Sequence, residues 1–319
     1  MAVRQRVLLT GATGHVGGRL LSYLSTQESV TTRALVRTPR TLPSWTDNCE
    51  IRFGDLTEEA TRRDVLQDVD CVVHLATRGF SSAQPPSDTE LASEEKSTLD
   101  LVRDAIGAGV SRLIYISSIH VYGESLVGRV DDSTPIAPNT AYGRSRQRIE
   151  RDILELAKSG NSQISVVRLT NSFGVPTFPR DETWNLLLHD LCRQVVQSHS
   201  ITLRSDGRVC RDMMALRDVV NVLAQILMNN HDIRGPFLLA SGQTMKLKEI
   251  AELVQRYAKS TLGIDADITS PVISPVQPSA FLLHPAKLIS AGIKFPQHRD
   301  EEICDLLRHA QHEFGSARS

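Results

Sequence analysis

The chain has 319 residues, enough for two lobes or for one large α/β domain with insertions, and its 36 Lys plus Arg against 37 Asp plus Glu leave a net charge of -1. That balance gives no electrostatic reason for nucleic acid or an anionic membrane as the main partner. Cys49, Cys71, Cys192, Cys210 and Cys304 are scattered, with no Cys-x-x-Cys pair and no His at metal-ligand spacing, so they read as reduced thiols and no metal is expected. Cys71 sits in an apolar run and is read as a buried small hydrophobe. The opening MAVRQRVLLTG is too short in its hydrophobic stretch for a signal peptide, and no segment reaches the roughly 18 apolar residues of a spanning helix. A soluble, cytoplasmic protein is expected.

In chain order, residues 6–10 (RVLLT) read as the first strand and 16–25 as the first helix. A strand at 30–36 (VTTRALV), a short one ending near Phe53 and a helix over 57–66 follow. Residues 71–76 (CVVHLA), 112–117 (RLIYIS) and 164–169 (ISVVRL) are further strands, separated by helical patterns at 91–108 and 142–158. Near-continuous apolar runs alternating with helices predict an α/β, Rossmann-type doubly wound parallel sheet. The stretch 80–88 (FSSAQPPSD) is loop-rich and borders a pocket. From Asn171 the character changes: 171–184 is rich in turn formers and 265–286 carries four prolines. This predicts a dinucleotide-binding domain over 1–170, to which 211–240 returns, and a smaller C-terminal substrate-binding lobe formed by 171–210 and 241–319.

The first strand runs directly into GATGHVGG and then into the helix RLLSYL, placing Gly11, Gly14 and Gly17 at Gly-x-x-Gly-x-x-Gly spacing. Gly11 permits the tight turn, Gly14 lets backbone approach a pyrophosphate, and Gly17 lets the helix pack on the strand. Unpaired N–H groups of the helix N-terminus face the anion. The second strand ends at Arg37, with Arg40 following and no carboxylate where one would bind a free ribose 2′-OH. Arg37 can fork onto a 2′-phosphate, which favours NADP(H); NAD(H) stays open, with Arg37 then a solvated surface residue. Asp55 either accepts from an adenine amino group or caps a helix opening at Thr57.

Ser117 and Ser118 lie at the end of the RLIYIS strand, at the sheet edge where open parallel sheets place ligands. Tyr142 and Arg146 are four apart on one helix face, with Asn139 or Thr140 upstream as the cap. A fixed cation one turn from a phenol favours the phenolate needed for proton transfer.

With these residues the chain resembles the extended short-chain dehydrogenase/reductase family, in particular its NAD-dependent epimerase/dehydratase branch acting on nucleotide sugars, over nearly its whole length. TGATGHVGG matches the family's cofactor loop, which implies cofactor contacts from Gly11, Thr13, Gly14, His15, Val16 and Gly17. GDL at 54–56 matches its adenine contact, bringing in Asp55 and Leu56, and HLA at 74–76 its fourth-strand motif, bringing in Leu75 and Ala76. YISSIHVYG places Ser118 on the catalytic Ser/Thr, and Tyr142 falls on the catalytic tyrosine. RLTNSFG implies that Asn171 reaches the sugar nucleotide, and DGRVCRDMMALRDVV that Arg211 meets its phosphates. His120, Thr77 and Arg78 stand beside the site as substrate contacts or as plain loop residues.

Two positions depart from the family pattern. Arg146 replaces the Lys of Tyr-x-x-x-Lys; it keeps the charge but is longer and planar, and is not interchangeable with Lys at a site that also hydrogen-bonds the nicotinamide ribose. Glu94 stands where an Asn is usual and either pairs with Arg146 or contacts only solvent. The resemblance implies NADP(H)-dependent reduction of a keto-sugar, or epimerisation through a keto intermediate. Ser118 would polarise the oxygen and Tyr142 would transfer its proton, while Arg146 would favour the phenolate, Tyr142 and Arg146 also touching the cofactor. Dehydration is disfavoured, because Ile119 and His120 occupy the places of the acidic residues it uses. A homodimer through the 91–108 and 142–158 helices is also implied. The alternative class is a non-catalytic NADP(H)-binding redox regulator, motivated by Arg146 and opposed by Ser118, Tyr142, Asn171 and Arg211.

Overall fold

The computed structural model describes residues 4–76, 85–158, 160–228, 232–271 and 279–315. The first half runs β1 (Gln5–Thr10), α1 (His15–Leu24), β2 (Val30–Val36), β3 (Glu50–Phe53), α2 (Glu59–Val65), β4 (Cys71–His74), α3 (Asp88–Gly107), β5 (Arg112–Ser118), β6 (Gly128–Asp131) and α4 (Ala141–Ala157). The second half runs β7 (Gln163–Leu169), β8 (Asn171–Phe173), α5 (Leu187–Ser198), β9 (Ser200–Thr202), β10 (Cys210–Ala215), α6 (Leu216–Met228), β11 (Gly235–Leu239) and β12 (Thr244–Lys246). It closes with α7 (Leu247–Leu262), β13 (Asp267–Thr269), β14 (Phe281–His284), α8 (Ala286–Ser290) and α9 (Arg299–Phe314).

Seven parallel strands form the central sheet in the order β11-β7-β5-β4-β1-β2-β3. The order reverses between β1 and β4, the topological switch point at which doubly wound sheets open a crevice for ligands. The apolar runs that predicted parallel strands are buried because both sheet faces are covered. Leu20, Leu21 and Leu24 of α1 and Val219, Leu223 and Ile226 of α6 pack with Val7, Leu9 and Val73 on one face. Leu101 and Ala105 of α3 and Ile149 and Ile153 of α4 pack with Leu8, Val72 and Tyr115 on the other. A separate core joins α5, α7 and α9 through Leu188, Val195, Ile250, Val254, Ile303 and Leu307. Its C-terminal helix is tied back to the sheet helices by Glu302, which is fully buried and pairs with Arg19 of α1 at 3.1 Å and Arg217 of α6 at 3.7 Å.

Boundaries moved where local hydrogen bonds outrank apolar pattern. The strand expected over 71–76 ends at His74, because Leu75 N and Ala76 N turn back onto Thr10, donating to its carbonyl and hydroxyl oxygens. The helix expected from Thr57 begins at Glu59. The helix expected from Leu91 begins at Asp88, fixed by a capping box in which Ser87 and Glu90 satisfy each other's backbone N–H.

Glycine substitutions separate close approach from mere flexibility. A Cβ on Gly17 would overlap the Gly11 carbonyl oxygen, whereas one on Gly107 would have nothing within 4 Å. Gly17→Ala should therefore cost about 3 kcal/mol or more of unfolding free energy, while Gly107→Ala, at the end of α3, should gain about 0.5 kcal/mol. Urea denaturation of the two variants measures both, and equal effects would contradict the close packing of α1.

Candidate active site

The cofactor turn is shaped by what its glycines exclude. Gly11 has φ +66°, and a Cβ there would come within 2.5 Å of the Leu75 backbone. Gly14 N donates to Gly11 O at 2.8 Å, and a Cβ at Gly14 would fill an open face bounded by Gly11 O at 3.0 Å and Arg180 Nη1 at 3.9 Å. Helix α1 starts at once with no side-chain cap and no acidic residue in its first turn. Uncapped N–H groups behind a face kept free of side chains suit the diphosphate of a dinucleotide. Thr13 and Val16 are half-buried on this turn, and Leu75 and Ala76 run alongside it. The His15 ring turns toward α5, edge-on to His189 at 5.3 Å. Burial, with His189 and Arg19 adding, lowers that ring's pKa to about 3.

At the adenosine end, Arg37 is exposed beyond β2. Asp55 Oδ1 accepts from Thr57 N at 2.9 Å and Thr57 Oγ1 at 2.8 Å, so its carboxylate organises the turn ahead of α2. That backbone N–H is the main reason its pKa lies below the usual carboxylate value, and Arg37 lowers it further. Leu56 beside it is buried.

The candidate reacting pair, Ser118 and Tyr142, comes from β5 and α4. Ser118 ends β5, and its Oγ accepts from His120 N at 3.3 Å as the chain enters a 3-10 turn, Ile119–Tyr122. Of the two expected caps for α4 it is Thr140 that acts, accepting from Gly143 N at 3.0 Å. Gly143 allows the first turn of α4 to lie on that 3-10 turn, since a Cβ there would be 2.5 Å from His120 O. The His120 ring then stands edge-on to Tyr142 at 5.7 Å, so Ser118, His120 and Tyr142 gather at the C-terminal edge of the sheet.

Arg146 lies one turn further along α4 with 0% exposure. Its guanidinium sits over the Tyr142 ring, 4.7 Å from the centroid, donates to Tyr115 Oη at 2.9 Å, and pairs with Glu94 of α3. Of the two readings of Glu94, pairing with Arg146 is the one observed. Burial opposes the charge on Arg146, yet Tyr115, Tyr142 and Glu94 outweigh it and raise its pKa well above the ordinary value. The Arg146 side chain has no accessible surface, its planar group being directed into the core toward Tyr115 and Glu94.

The network extends beyond what the motifs indicated. Tyr115 stacks on His74 at 5.8 Å, and His74 bonds Thr10 Oγ1 at 2.6 Å through Nδ1 and Thr98 Oγ1 at 3.0 Å through Nε2. Burial, with Arg146 adding, lowers the His74 pKa to about 3 and so keeps the ring neutral. Thr10 immediately precedes Gly11, so α4 and the Gly-rich turn share one buried polar chain. A second buried group joins Ser117 Oγ to Glu150 Oε1 at 2.5 Å and Glu150 Oε2 to Arg168 Nη2 at 2.8 Å, with Arg168 Nη1 donating to Tyr122 Oη at 3.0 Å. Tyr115, Glu150 and Arg168 were not singled out from sequence. The i, i+4 step from Arg146 to Glu150 was the available signal.

On the substrate side, Asn171 Nδ2 donates to Asp212 O at 3.2 Å from β8. Arg211 of β10 is partly covered and donates to Cys210 O at 2.8 Å. His120 and Arg211 lie within electrostatic reach of each other and of Glu124. Burial lowers both pKa values, Glu124 opposes both shifts, and Arg211 adds to that of His120. Thr77 and Arg78 lie outside the described residues, as does most of the 80–88 loop. Among the described residues no group of three or more His, Cys, Asp or Glu could hold a metal ion, and no helix is long and apolar enough to cross a membrane.

A doubly wound parallel sheet with a Gly-rich first turn and a Ser and Tyr at its C-terminal edge defines a dinucleotide-binding α/β protein of the extended short-chain dehydrogenase/reductase type. The chain belongs to the NAD dependent epimerase/dehydratase family, whose model matches residues 7–238. It is 26% identical over 270 residues to UDP-glucose 4-epimerase of Vibrio cholerae, covering 82% of this chain and 79% of that protein. It is 25% identical over 274 residues to UDP-glucuronic acid decarboxylase 1 of Danio rerio, covering 81% of this chain and 62% of that protein. In fold it is similar to the crystal structure of Thermotoga maritima UDP-glucose 4-epimerase with UDP-glucose, at a TM-score of 0.81 and 18% identity over 97% of this chain and 99% of that one. UDP-glucuronic acid 4-epimerase of Bacillus cereus in complex with NAD aligns at a TM-score of 0.79 and 17% identity over 98% and 99%.

The Glu94–Arg146 pair should behave as one energetic unit. Glu94→Leu alone leaves a buried cation without its carboxylate and should cost about 3–5 kcal/mol, whereas Glu94→Leu combined with Arg146→Met should recover most of that loss. Urea denaturation of the double-mutant cycle measures the coupling, and strictly additive losses would show that the two charges do not support each other.

Proposed function

We propose that this chain is a nicotinamide-dependent enzyme acting on a nucleotide-linked sugar, epimerising a hydroxyl through a keto intermediate or reducing a keto-sugar, with NADP(H) favoured over NAD(H). The observation that carries this reading is the gathering of Ser118, His120 and Tyr142 at the sheet edge that also holds the Gly-rich turn. Family membership supports the reaction class, and relatives named for UDP-glucose and UDP-glucuronic acid support the substrate class.

When bound, the nicotinamide supplies reversible two-electron oxidation and reduction of the sugar carbon. Gly11, Gly14 and Gly17 hold the diphosphate, with Thr13, Val16, Leu75 and Ala76 beside it. The Ser118 hydroxyl donates to the sugar oxygen, and Tyr142 Oη takes that oxygen's proton on oxidation and returns it on reduction. Arg146 acts through Tyr142, holding the ring from beneath; it is a positioning residue. Asn171, Arg211 and His120 face the substrate, with Arg211 toward its phosphates.

Tyr142→Phe should lower turnover at least a hundredfold, measured on the UDP-sugar that the wild type converts, while the Kd for the dinucleotide stays within about threefold. Full turnover in that variant would remove Tyr142 from the chemistry. Exposed Arg37 at the end of β2 supports the NADP(H) preference. Titration should give tighter binding of NADPH than of NADH, and Arg37→Ala should erase about tenfold of that difference. Equal affinities before and after the substitution would defeat the 2′-phosphate argument.

A further inference from the structure

We infer that Arg180, carried by the segment between β8 and α5, binds the diphosphate of the dinucleotide from the side facing Gly14. The turn at 10–18 (TGATGHVGG) contains no Lys or Arg, so on its own it offers the diphosphate only backbone N–H groups. Arg180 Nη1 lies 3.9 Å from the place a Gly14 Cβ would occupy, across the face that glycine keeps open. Arg180 also contributes to the lowered pKa of His15, the next residue of the turn.

This position is built rather than incidental. Phe178, two residues earlier, is buried in the core under α1, and a Cβ on Gly18 would come 2.9 Å from its ring. Trp45 lies 5.9 Å from that ring and the Arg40 guanidinium 5.7 Å above it. Arg19 Nη1 donates to Val175 O at 3.1 Å, and Thr183 returns to Arg180 O through both its N–H at 3.2 Å and its hydroxyl at 2.7 Å. The segment is thus pinned on both sides of Phe178. The contact between the Arg180 guanidinium and Glu182 is a loose one: Glu182 Oε2 is 4.0 Å away, on a carboxylate with 74% exposure, beyond hydrogen-bond range. With 43% of its own side chain exposed, Arg180 can turn from Glu182 to a dianionic bridge with little loss.

The inference rests on the turn binding a dinucleotide, and the test separates the two. Calorimetric titration of the whole chain with NADPH and with ADP-ribose, which shares the diphosphate but lacks both the 2′-phosphate and the nicotinamide, should give Kd values about tenfold weaker for Arg180→Ala with both ligands. The same variant should show a shallower rise of Kd with salt. Arg180→Lys should lose less than Arg180→Ala, and Arg37→Ala should weaken NADPH alone. Binding by the wild type with unchanged ADP-ribose affinity in Arg180→Ala overturns the assignment and leaves the dinucleotide reading intact. A wild type that binds neither ligand overturns both. Equal losses in the Lys and Ala variants, with unchanged salt dependence, would mean that Arg180 only supports the loop and would likewise overturn the assignment.

Discussion

Everything in this fold is indexed to the close approach of the first helix to the first strand. Gly17 leaves no room for a methyl group against the Gly11 carbonyl, and Gly11 leaves none against Leu75. Helix α1 is therefore seated with its uncapped N-terminus at the reversal point of the sheet, and β4 must end where its chain passes the turn. Thr10, the last residue before the turn, bonds His74 and receives the Ala76 N–H, so the geometry of the cofactor turn is transmitted into the polar core rather than stopping at a loop.

That polar core holds a full cation, and the balance of terms explains its partners. Removing a guanidinium from water costs several kcal/mol even after the protein relaxes, and only close compensation offsets it. Glu94 supplies the opposite charge, Tyr115 an acceptor, and the Tyr142 ring a face of negative potential. A lysine could not fill this role, because a compact ammonium cannot reach a carboxylate and a phenol while lying flat on a ring. The second buried group, Glu150 with Arg168, Ser117 and Tyr122, sits two turns along from Tyr142 on the same helix face and fixes the other flank of the 3-10 turn. The two groups hold the turn bearing Ser118 and His120 without using either residue's reactive atoms.

The parallel sheet was legible in the sequence because its strands are buried on both faces and so read as unbroken apolar runs. The Gly-rich turn was legible because three glycines at fixed spacing, set between such a run and a helix, match the backbone needs of a tight turn under a closely packed helix. Ser118, Tyr142 and Thr140 followed from position at a strand end or a helix start. What escaped was set by contacts distant in sequence. Tyr115 looks like any β-strand aromatic, and its hydrogen bond to Arg146 exists only because α4 packs on β5. The direction of the Arg146 side chain was likewise invisible, since helical spacing places a residue on a face but does not say whether a partner on another helix draws it inward. His15 lies in the right loop, yet its ring is claimed by His189 across 174 positions of chain.

The Glu94–Arg146 contact also bears on how such a site can change by single steps. Relative to a lysine facing an asparagine, two substitutions separate this chain from the family pattern, and their order matters. Acquiring the glutamate first places an anion opposite the lysine, and the later exchange of ammonium for guanidinium alters reach while the charge pair is kept. Acquiring the arginine first buries a larger cation beside a neutral amide and has to await its counter-charge. On charge balance the path through the glutamate costs less, and with both in place the loss of either residue leaves a buried charge without its partner. Each residue thereby constrains what the other can become through a contact buried away from the surface.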